Sequence, residues 1–270
     1  MNASDGMKNF KLVIEYDGTD FCGWQIQPSG RTVQGEIEKA LSKMTQKHVR
    51  VNGSGRTDAG VHALAQVAAF RCETRLTPDA FFSGLNSLLP DDIAILSCEA
   101  VPDTFHPRFD ASGKTYIYRI RNCTVPAAIC RKHFWHIKRP LDIDAMNAAI
   151  RHIKGTHDFK AFENTGSPRS HTVRTIYEAS VHAGTQDKAA ADAGRIHGLP
   201  SHGMITIRIT ANGFLRYMVR NIVGTIVDVG LSKISPETFA VIKEKKDRNL
   251  ASATAPPHGL FLHSVHYIPE

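Results

Sequence analysis

The sequence predicts an α+β fold built from two similar domains. Alternating apolar and polar residues indicate strands, and apolar residues that recur three or four positions apart indicate helices. Strands and helices follow one another in a similar order in both halves of the 270-residue chain. Each half places its helices on one face of its strands, so two α/β domains are expected. A chain of this length has ample material for a buried core.

The first half is predicted to contain strands, helices and a glycine-rich loop, and to end in an irregular link. Thr32 is a suitable N-cap for a helix over 33–44. The other elements predicted for this half are strands over 8–16, 48–51, 63–70 and 93–100 and a helix over 78–88. The irregular stretch from Pro102 to Pro107 is the candidate boundary. It gives an N-terminal domain over 1–107 and a C-terminal domain over 108–270.

The second half repeats this order of elements. Its predicted elements are a strand over 115–120, a helix capped by Asp142 or Asp144 and continuing to Ile153, strands over 174–182 and 204–210, a strongly apolar helix over 214–230, a helix that begins at Pro236 and a strand over 261–267. Residues 183–202 are rich in glycine, alanine and polar residues, which predicts a flexible loop.

Charge and composition indicate a soluble globular protein with a polyanionic partner. The formal net charge is +7, and the sequence pI is about 9.2. Positive charge suits nucleic acid, because phosphates neutralised by a protein release their counterions, although many basic proteins bind no nucleic acid. Apolar residues at 42% and charged residues at 22% are typical of a globular chain.

The sequence favours a cytoplasmic protein without a membrane segment, a cofactor or a metal. The longest apolar-rich segment, 222–229, is too short to span a bilayer, and no apolar leader follows Met1. The five cysteines are scattered without a C-x-x-C pair, which indicates reduced cytosolic thiols and argues against zinc. His133 and His136 have helical ligand spacing but no third ligand at metal spacing, so packing or RNA contact is expected. Phosphate-binding and dinucleotide-binding loop signatures are absent from the sequence, so no cofactor is predicted.

The most informative segment is the glycine-rich stretch from Gly53 to Ala63. It places Asp58 two residues after Arg56, between two predicted strands. Glycines permit tight turns, and a carboxylate in such a loop is presented to a ligand. In a locally extended loop the two side chains point the same way, and the guanidinium favours an ionised, nucleophilic carboxylate. A surface ion pair or an Asx turn is the alternative that these two residues alone leave open.

The residues G-S-G-R-T-D-A-G-V-H-A over 53–63 resemble the catalytic loop of the tRNA pseudouridine synthase A family. The resemblance continues in order along nearly the whole chain. The other matching blocks are Y-D-G-T over 16–19, F-C-G-W-Q over 21–25, T-V-Q-G-E over 32–36, F-H-P-R-F over 105–109, K-T-Y-I-Y over 114–118, R-T-I over 174–176, F-L-R-Y-M-V-R-N-I-V-G over 214–224 and A-P-P-H-G-L over 255–260. One block alone is a weak signal, whereas the ordered set is a specific one.

The resemblance implies a fold and a set of site residues. Two α/β domains would share a long, mostly antiparallel sheet with a cleft between them. Asp58 would be the catalytic nucleophile, and Arg220 would pair with its carboxylate. Tyr116 would stack on the target base and assist proton transfer at C5, and Leu260 would line the uracil pocket. Arg56 would enter the space left when the uridine is turned out of the stem.

Simpler interpretations of three of these residues stay open on the sequence alone. Tyr116 could be an aromatic residue that packs on a sheet face. Arg220 could be a surface arginine whose stem lies along apolar neighbours. Leu260 could be a core residue at the end of a strand.

The resemblance implies a homodimeric enzyme that isomerises uridine to pseudouridine at positions 38, 39 and 40 of the tRNA anticodon stem-loop. This reaction breaks the C1′–N1 bond, turns the uracil ring and rejoins it through C5, without redox change or external donor. Three routes stay open for Asp58: attack at C6, attack at C1′, or removal of a sugar proton. The other functions considered are a synthase with a different RNA target, an RNA-binding or RNA-folding protein, and a carboxylate glycosidase, which would need a second acid.

Two further features lead to expectations. Ser54 stands where the family loop more often has alanine, a near-isosteric change that should be tolerated. Two basic clusters are interpreted as phosphate-contacting stripes or as ordinary solvated surface. They consist of Lys43, Lys47, His48 and Arg50, and of Lys243, Lys245, Lys246 and Arg248.

Overall fold

The computed structural model describes residues 6–164, 171–184 and 203–268. Within them the chain is mixed α/β with a large, mostly antiparallel sheet, which confirms the predicted fold class. The chain divides into two compact units, Met1–Ser112 with Leu262–Glu270 and Gly113–Phe261. The loop predicted over 183–202 lies outside the described residues beyond position 184. Of the helices in the described ranges, none combines the length and the apolar character that a membrane span requires.

The first unit is built on a sheet in which β1 lies between two antiparallel neighbours. Its elements are β1 Met7–Tyr16, α1 Val33–Thr45, β2 Val51–Gly53, β3 His62–Glu73, α2 Pro78–Leu88 and β4 Ile93–Val101. The strand order is β4-β1-β3, and β2 pairs antiparallel with β3. The strand predicted over 48–51 is therefore displaced. Its pairing begins only at Val51, whose backbone N–H donates to the Glu38 carboxylate at 2.9 Å instead of to a strand.

The second unit repeats the arrangement of strands and helices. Its elements are β5 Ala111–Asn122, β6 Trp135–Ile137, α3 Ile143–Arg151, β7 Gly155–Asp158, β8 Val173–Ala183, β9 Met204–Ala211, α4 Met218–Gly230, α5 Pro236–Lys245 and the start of β10 Leu260–Tyr267. The strand order is β5-β9-β8-β7 with antiparallel pairing, and β6 pairs parallel with β5.

The core of the first unit lies between its sheet and α2. Phe10 of β1 stacks on Phe70 of β3 at 5.2 Å between ring centroids, and both rings contact Phe81 of α2. All three side chains are buried. Thr32 caps α1 through Gly35 N–H at 3.3 Å, as the sequence predicts. Local caps and an apolar face therefore specify where these helices begin and which side they bury.

The core of the second unit lies between its sheet and its helices. Tyr118 and Ile120 of β5 stand opposite isoleucines of β9 and are fully buried. Asn147 of α3 binds the backbone of Val181 in β8 with both ends of its amide, at 3.0 and 3.1 Å. Of the two predicted caps for α3, Asp142 is the one that accepts from a helix N–H, that of Ala145, at 2.9 Å.

The helix predicted over 214–230 begins four residues later than expected. Tyr217 has φ 63° and occupies the N-cap position, so α4 starts at Met218. A left-handed backbone at Tyr217 cannot continue a right-handed helix in the N-terminal direction. The Phe214 ring packs against Tyr116, and Leu215 is buried. Their apolar character explains why the helix was predicted to begin too early.

Candidate active site

The loop that carries Asp58 connects β2 to β3 and is held by the segment 21–24. Trp24 N–H donates to Thr57 O at 3.2 Å, and Gly60 N–H donates to Phe21 O at 3.3 Å. Gly23 has φ 103°, and a Cβ on it would lie 2.7 Å from Thr57 O. Only glycine fits this close approach without strain, so the loop backbone is fixed on both sides of Asp58.

A buried pair of hydroxyl groups lies under the loop. The phenol oxygen of Tyr16, the last residue of β1, is 2.7 Å from Thr57 Oγ1. Burial raises the pKa of the Tyr16 phenol, so this group stays neutral and can donate to Thr57. Asp58 follows directly; it is half-buried, and its carbonyl accepts from Val61 N–H at 3.1 Å. The arrangement presents a carboxylate on a backbone that has little freedom.

A buried amide supports the start of the loop. Gln66 of β3 is fully buried, accepts from Ser54 Oγ at 2.7 Å and donates to Gly55 O at 3.0 Å. Ser54 is therefore more than an isosteric replacement for alanine, because its hydroxyl helps to satisfy a buried amide. Sequence reasoning missed Gln66. The available signal was a lone glutamine inside the apolar strand 63–70.

Arg56 is exposed, and its Nε donates to Gln25 Oε1 at 2.9 Å. In the part of the chain that the structure describes, Arg56 makes no ion pair. The simple surface pair of Arg56 with Asp58, which the sequence alone left open, is therefore not formed. A solvated guanidinium on a tethered loop is suited to contact a polyanion.

In the second unit, Arg220 contacts the segment from Ala255 to Leu260, which also contains the predicted residue Leu260. Arg220 Nε donates to Ala255 O at 2.8 Å, and Ala255 N–H donates back to Arg220 O at 3.1 Å. The guanidinium carbon lies 4.7 Å from the centroid of the Tyr217 ring. Arg220 is thus half-buried and held at three points, unlike a surface arginine that only extends into solvent.

Tyr118, Tyr116 and Leu260 belong to the same unit. The Tyr118 phenol donates to Pro256 O at 2.8 Å, and burial raises the pKa of Tyr118. Tyr116 is 8% exposed, and its ring packs edge-on against Phe214 with centroids 4.9 Å apart. Leu260 is 5% exposed at the start of β10. Both Tyr116 and Leu260 therefore pack within the protein, as their simpler interpretations expect.

The buried amide of Asn221, a residue of α4, holds the segment before Ala255 against this helix. Its Nδ2 donates to Phe162 O at 2.8 Å, and its Oδ1 accepts from Thr254 Oγ1 at 2.7 Å and from Arg248 Nη2 at 3.1 Å. Arg248 also donates to the carbonyls of Ala251 and Ser252. Asn221 and Arg248 thus fix the residues that directly precede Ala255. Sequence reasoning missed the contacts of Asn221, because its partners Phe162, Arg248 and Thr254 are distant in the chain.

The prediction that the second basic cluster is solvated or phosphate-contacting surface is wrong for Lys243. Lys243 is 6% exposed and donates to His152 O at 2.9 Å. Arg248 is committed to the network around Asn221. Lys243 stabilises the fold from within, because a buried charge needs hydrogen-bond partners. The half-buried Arg248 links α4 to residues 251 and 252.

The predicted site residues are thus distributed over both units. Asp58 and Arg56 belong to the first, and Tyr116, Arg220 and Leu260 belong to the second. A family model described as tRNA pseudouridine synthase matches residues 12–110 and 149–268. The chain belongs to this family. The matched ranges include Asp58, Arg56, Arg220 and Leu260, whereas Tyr116 falls between them.

Named tRNA pseudouridine synthases are similar to the chain over almost its full length. The tRNA pseudouridine synthase A of Clostridium acetobutylicum is 43% identical over 261 residues, which cover 97% of this chain and 100% of that protein. The protein of the same name from Maridesulfovibrio salexigens is 42% identical, over 97% of this chain and 91% of its own length. That of Geotalea daltonii is 42% identical over 97% of this chain and 100% of its own. The resemblance of the sequence blocks to the pseudouridine synthase family is therefore confirmed.

Proposed function

We propose that the chain is a tRNA pseudouridine synthase that converts uridine to pseudouridine at positions 38, 39 and 40 of the anticodon stem-loop. The observation that carries the proposal is the half-buried Asp58 on a loop tied down by backbone hydrogen bonds on both of its sides. Full-length similarity to proteins named tRNA pseudouridine synthase A supports tRNA as the substrate. The enzyme acts in the cytoplasm as a homodimer, and one tRNA contacts both subunits.

The reaction needs an anion near C1′ and C6 of the uridine, and it needs the detached ring to be held until C5 bonds to C1′. Asp58 is the catalytic nucleophile, and the fixed loop backbone keeps its carboxylate in place for attack. Tethers from Trp24 and Tyr16 to Thr57 support this role, since they restrain the residue next to Asp58. The C1′–N1 bond breaks, C5 bonds to C1′ and loses its hydrogen as a proton, and N1 gains a proton. The bond to Asp58 breaks again, which restores the carboxylate.

The other residues bind and position the substrate. Arg220 pairs with the Asp58 carboxylate, and Tyr116 stacks on the target base and assists the proton transfer. Leu260 lines the uracil pocket, and Arg56 fills the gap that the extruded uridine leaves in the stem. An N-terminal domain over 1–107 then supplies the nucleophile, and a C-terminal domain over 108–270 completes the site.

The test is tritium release from tRNA that carries 5-³H-uridine at positions 38, 39 or 40. Wild type should release tritium, and Asp58→Asn should bind the tRNA normally but lose about three orders of magnitude or more in rate. The matched control is Asp91→Asn, which removes the same charge from an exposed turn before β4. The control should retain wild-type turnover.

Each outcome decides between functions. If Asp58→Asn kept most of its turnover, the nucleophile would be a different group. If wild type bound these tRNAs tightly without releasing tritium from any of the three positions, the proposal would fail. A synthase with another RNA target would then be tested first, and a binding function second.

A further inference from the structure

An open cavity of about 390 Å³ lies on the first unit, away from the Asp58 loop. It is lined by Asn9, Arg50, Asn52, Ala69, Phe70, Arg71, Phe105, His106 and Pro107. Asn9 pairs with Arg71 across β1 and β3, whereas Tyr16, beside the loop, pairs with Ala63. The two pairs are eight positions apart along β3, which is roughly 25 Å at about 3.3 Å per residue. A group bound in the cavity is therefore not the group that reacts at Asp58.

The lining of the cavity is basic. Arg50, Arg71 and His106 contribute nitrogen donors, and no aspartate or glutamate is among the lining residues. The His106 ring accepts at Nδ1 from the N–H groups of Arg108 and Phe109, at 3.1 and 3.2 Å. The neutral ring therefore carries its proton on Nε2, which makes that nitrogen a donor. An anion is the ligand that such a set of donors favours.

The wall of the cavity is fixed by hydrogen bonds, whereas two of its donors have no partner among the described residues. Asn9 is buried and donates to Pro102 O at 3.0 Å and to Phe105 O at 3.1 Å. Arg71 donates to Asp103 O. In contrast, the exposed side chains of Arg50 and Asn52 make no hydrogen bond or ion pair within the described residues. The segment 102–107 thus forms a fixed rim, and Arg50 and Asn52 remain available to a ligand.

The dimensions and the surface of the cavity suit a nucleotide better than a bare ion. A volume of about 390 Å³ lies within the range of small-molecule sites. Phe105, Pro107 and Ala69 add apolar and aromatic surface to the basic donors. A nucleotide combines a phosphate, which a guanidinium binds, with a base, which stacks on apolar or aromatic side chains.

We infer that this cavity binds one nucleotide of the tRNA substrate, distinct from the reacting uridine, with its phosphate on Arg50 and His106. The inference rests on the proposed function, because it names a second contact of the same substrate. Arg50 is a positioning residue in this scheme, since it binds the tRNA away from the reacting atoms. Its loss should weaken tRNA binding and leave the chemical step unchanged.

The experiment compares Arg50→Gln and Asn52→Ala with wild type in the tritium-release assay. The matched control is Lys39→Gln, which removes one positive charge from an exposed position of α1. Arg50→Gln should raise KM for tRNA about three- to tenfold at unchanged kcat, and should flatten the dependence of log KM on log salt by about 0.9. Lys39→Gln should change neither quantity. Thermal unfolding of all variants should match wild type, since the side chains of Arg50 and Asn52 make no hydrogen bond or ion pair among the described residues.

The outcomes separate this inference from the proposed function. If wild type releases no tritium, the proposed function fails first. If wild type is active but Arg50→Gln and Lys39→Gln share its KM and salt dependence, the cavity is not a tRNA site. Binding of uridine 5′-monophosphate is measured in parallel by calorimetry. A nucleotide affinity that falls in Arg50→Gln while KM for tRNA stays constant would assign the cavity to a free nucleotide and overturn the inference.

Discussion

The phenol oxygen of Tyr16 lies 2.7 Å from the hydroxyl oxygen of Thr57, one residue before Asp58. This bond links the end of β1 to the loop between β2 and β3, across 41 positions of sequence. Both side chains are buried, with 3% of Tyr16 and 6% of Thr57 exposed. The position of Asp58 therefore depends on a polar contact in the interior of the first unit.

Removal of the Tyr16 hydroxyl should lower both the free energy of unfolding and the turnover of the enzyme. Tyr16→Phe leaves the Thr57 hydroxyl buried without this partner, which costs about 1–3 kcal/mol in free energy of unfolding. It should also lower kcat in the tritium-release assay, since Asp58 loses a neighbouring restraint. Urea unfolding measures the first effect. Thr57→Ser, which retains the hydroxyl, is the control and should keep most of the wild-type stability.

The serine of the loop should contribute to stability without contributing to turnover. Ser54→Ala removes one bond to Gln66, but Gln66 Oε1 still accepts from Val67 N–H at 3.2 Å. A loss of about 0.5–1.5 kcal/mol in unfolding free energy is expected, at unchanged kcat. Gln66→Leu should destabilise more, because it leaves both Ser54 Oγ and Gly55 O without their partner. An equal or smaller loss for Gln66→Leu would contradict this account.

Local signals made much of the fold predictable. Thr32 and Asp142 cap the helices that follow them, and Pro78 opens α2 at the predicted residue. Each of these signals depends on a few neighbouring residues. The start of α4 was predicted too early, because the apolar run from Phe214 hides the left-handed backbone at Tyr217.

The sequence proposed candidate site residues, but it did not indicate which residues support them. The glycine spacing around Asp58 marked the loop, and ordered sequence blocks suggested the roles of Arg220 and Tyr116. The contacts of Gln66 and Asn221 join residues far apart in the chain, and a sequence pattern carries no record of them. Buried cations such as Lys243 were mistaken for surface for the same reason.

At Gly224, α4 lies so close to the segment before Ala255 that no side chain fits between them. A Cβ on Gly224 would lie 2.0 Å from Ala253 O, a backbone atom that cannot move without its segment. Gly224→Ala should therefore lower the free energy of unfolding by about 2 kcal/mol or more. It should also reduce turnover, because Arg220 binds Ala255 in the displaced segment.

The control for this steric argument is Gly213→Ala. A Cβ there would meet no atom closer than 3.7 Å, and the residue does not have a positive φ. Chemical denaturation and tritium release should find this variant close to wild type. Similar losses for both variants would show that glycine flexibility, rather than the contact with Ala253, determines the effect.

Stability should fall in alkali, in part because of Tyr118. Burial raises the pKa of its phenol above the ordinary value of 10.0. Above pH 10 the unfolded chain loses this proton while the folded chain keeps it, so rising pH favours unfolding. One such phenol contributes about 1.4 kcal/mol per pH unit to the slope. Below pH 10 both states hold the proton, and the contribution to stability is complete.

In Tyr118→Phe, the free energy of unfolding should fall less steeply with pH above pH 10, by the contribution of one phenol. Burial also raises the pKa values of Tyr16 and Tyr267, so a slope should remain in the variant. The lost hydrogen bond to Pro256 O lowers stability at all pH values and leaves the slope unchanged, which separates the two effects. Urea unfolding at intervals from pH 8 to 11 measures both. An unchanged slope above pH 10 in Tyr118→Phe would mean that this phenol ionises equally in the folded and unfolded chain.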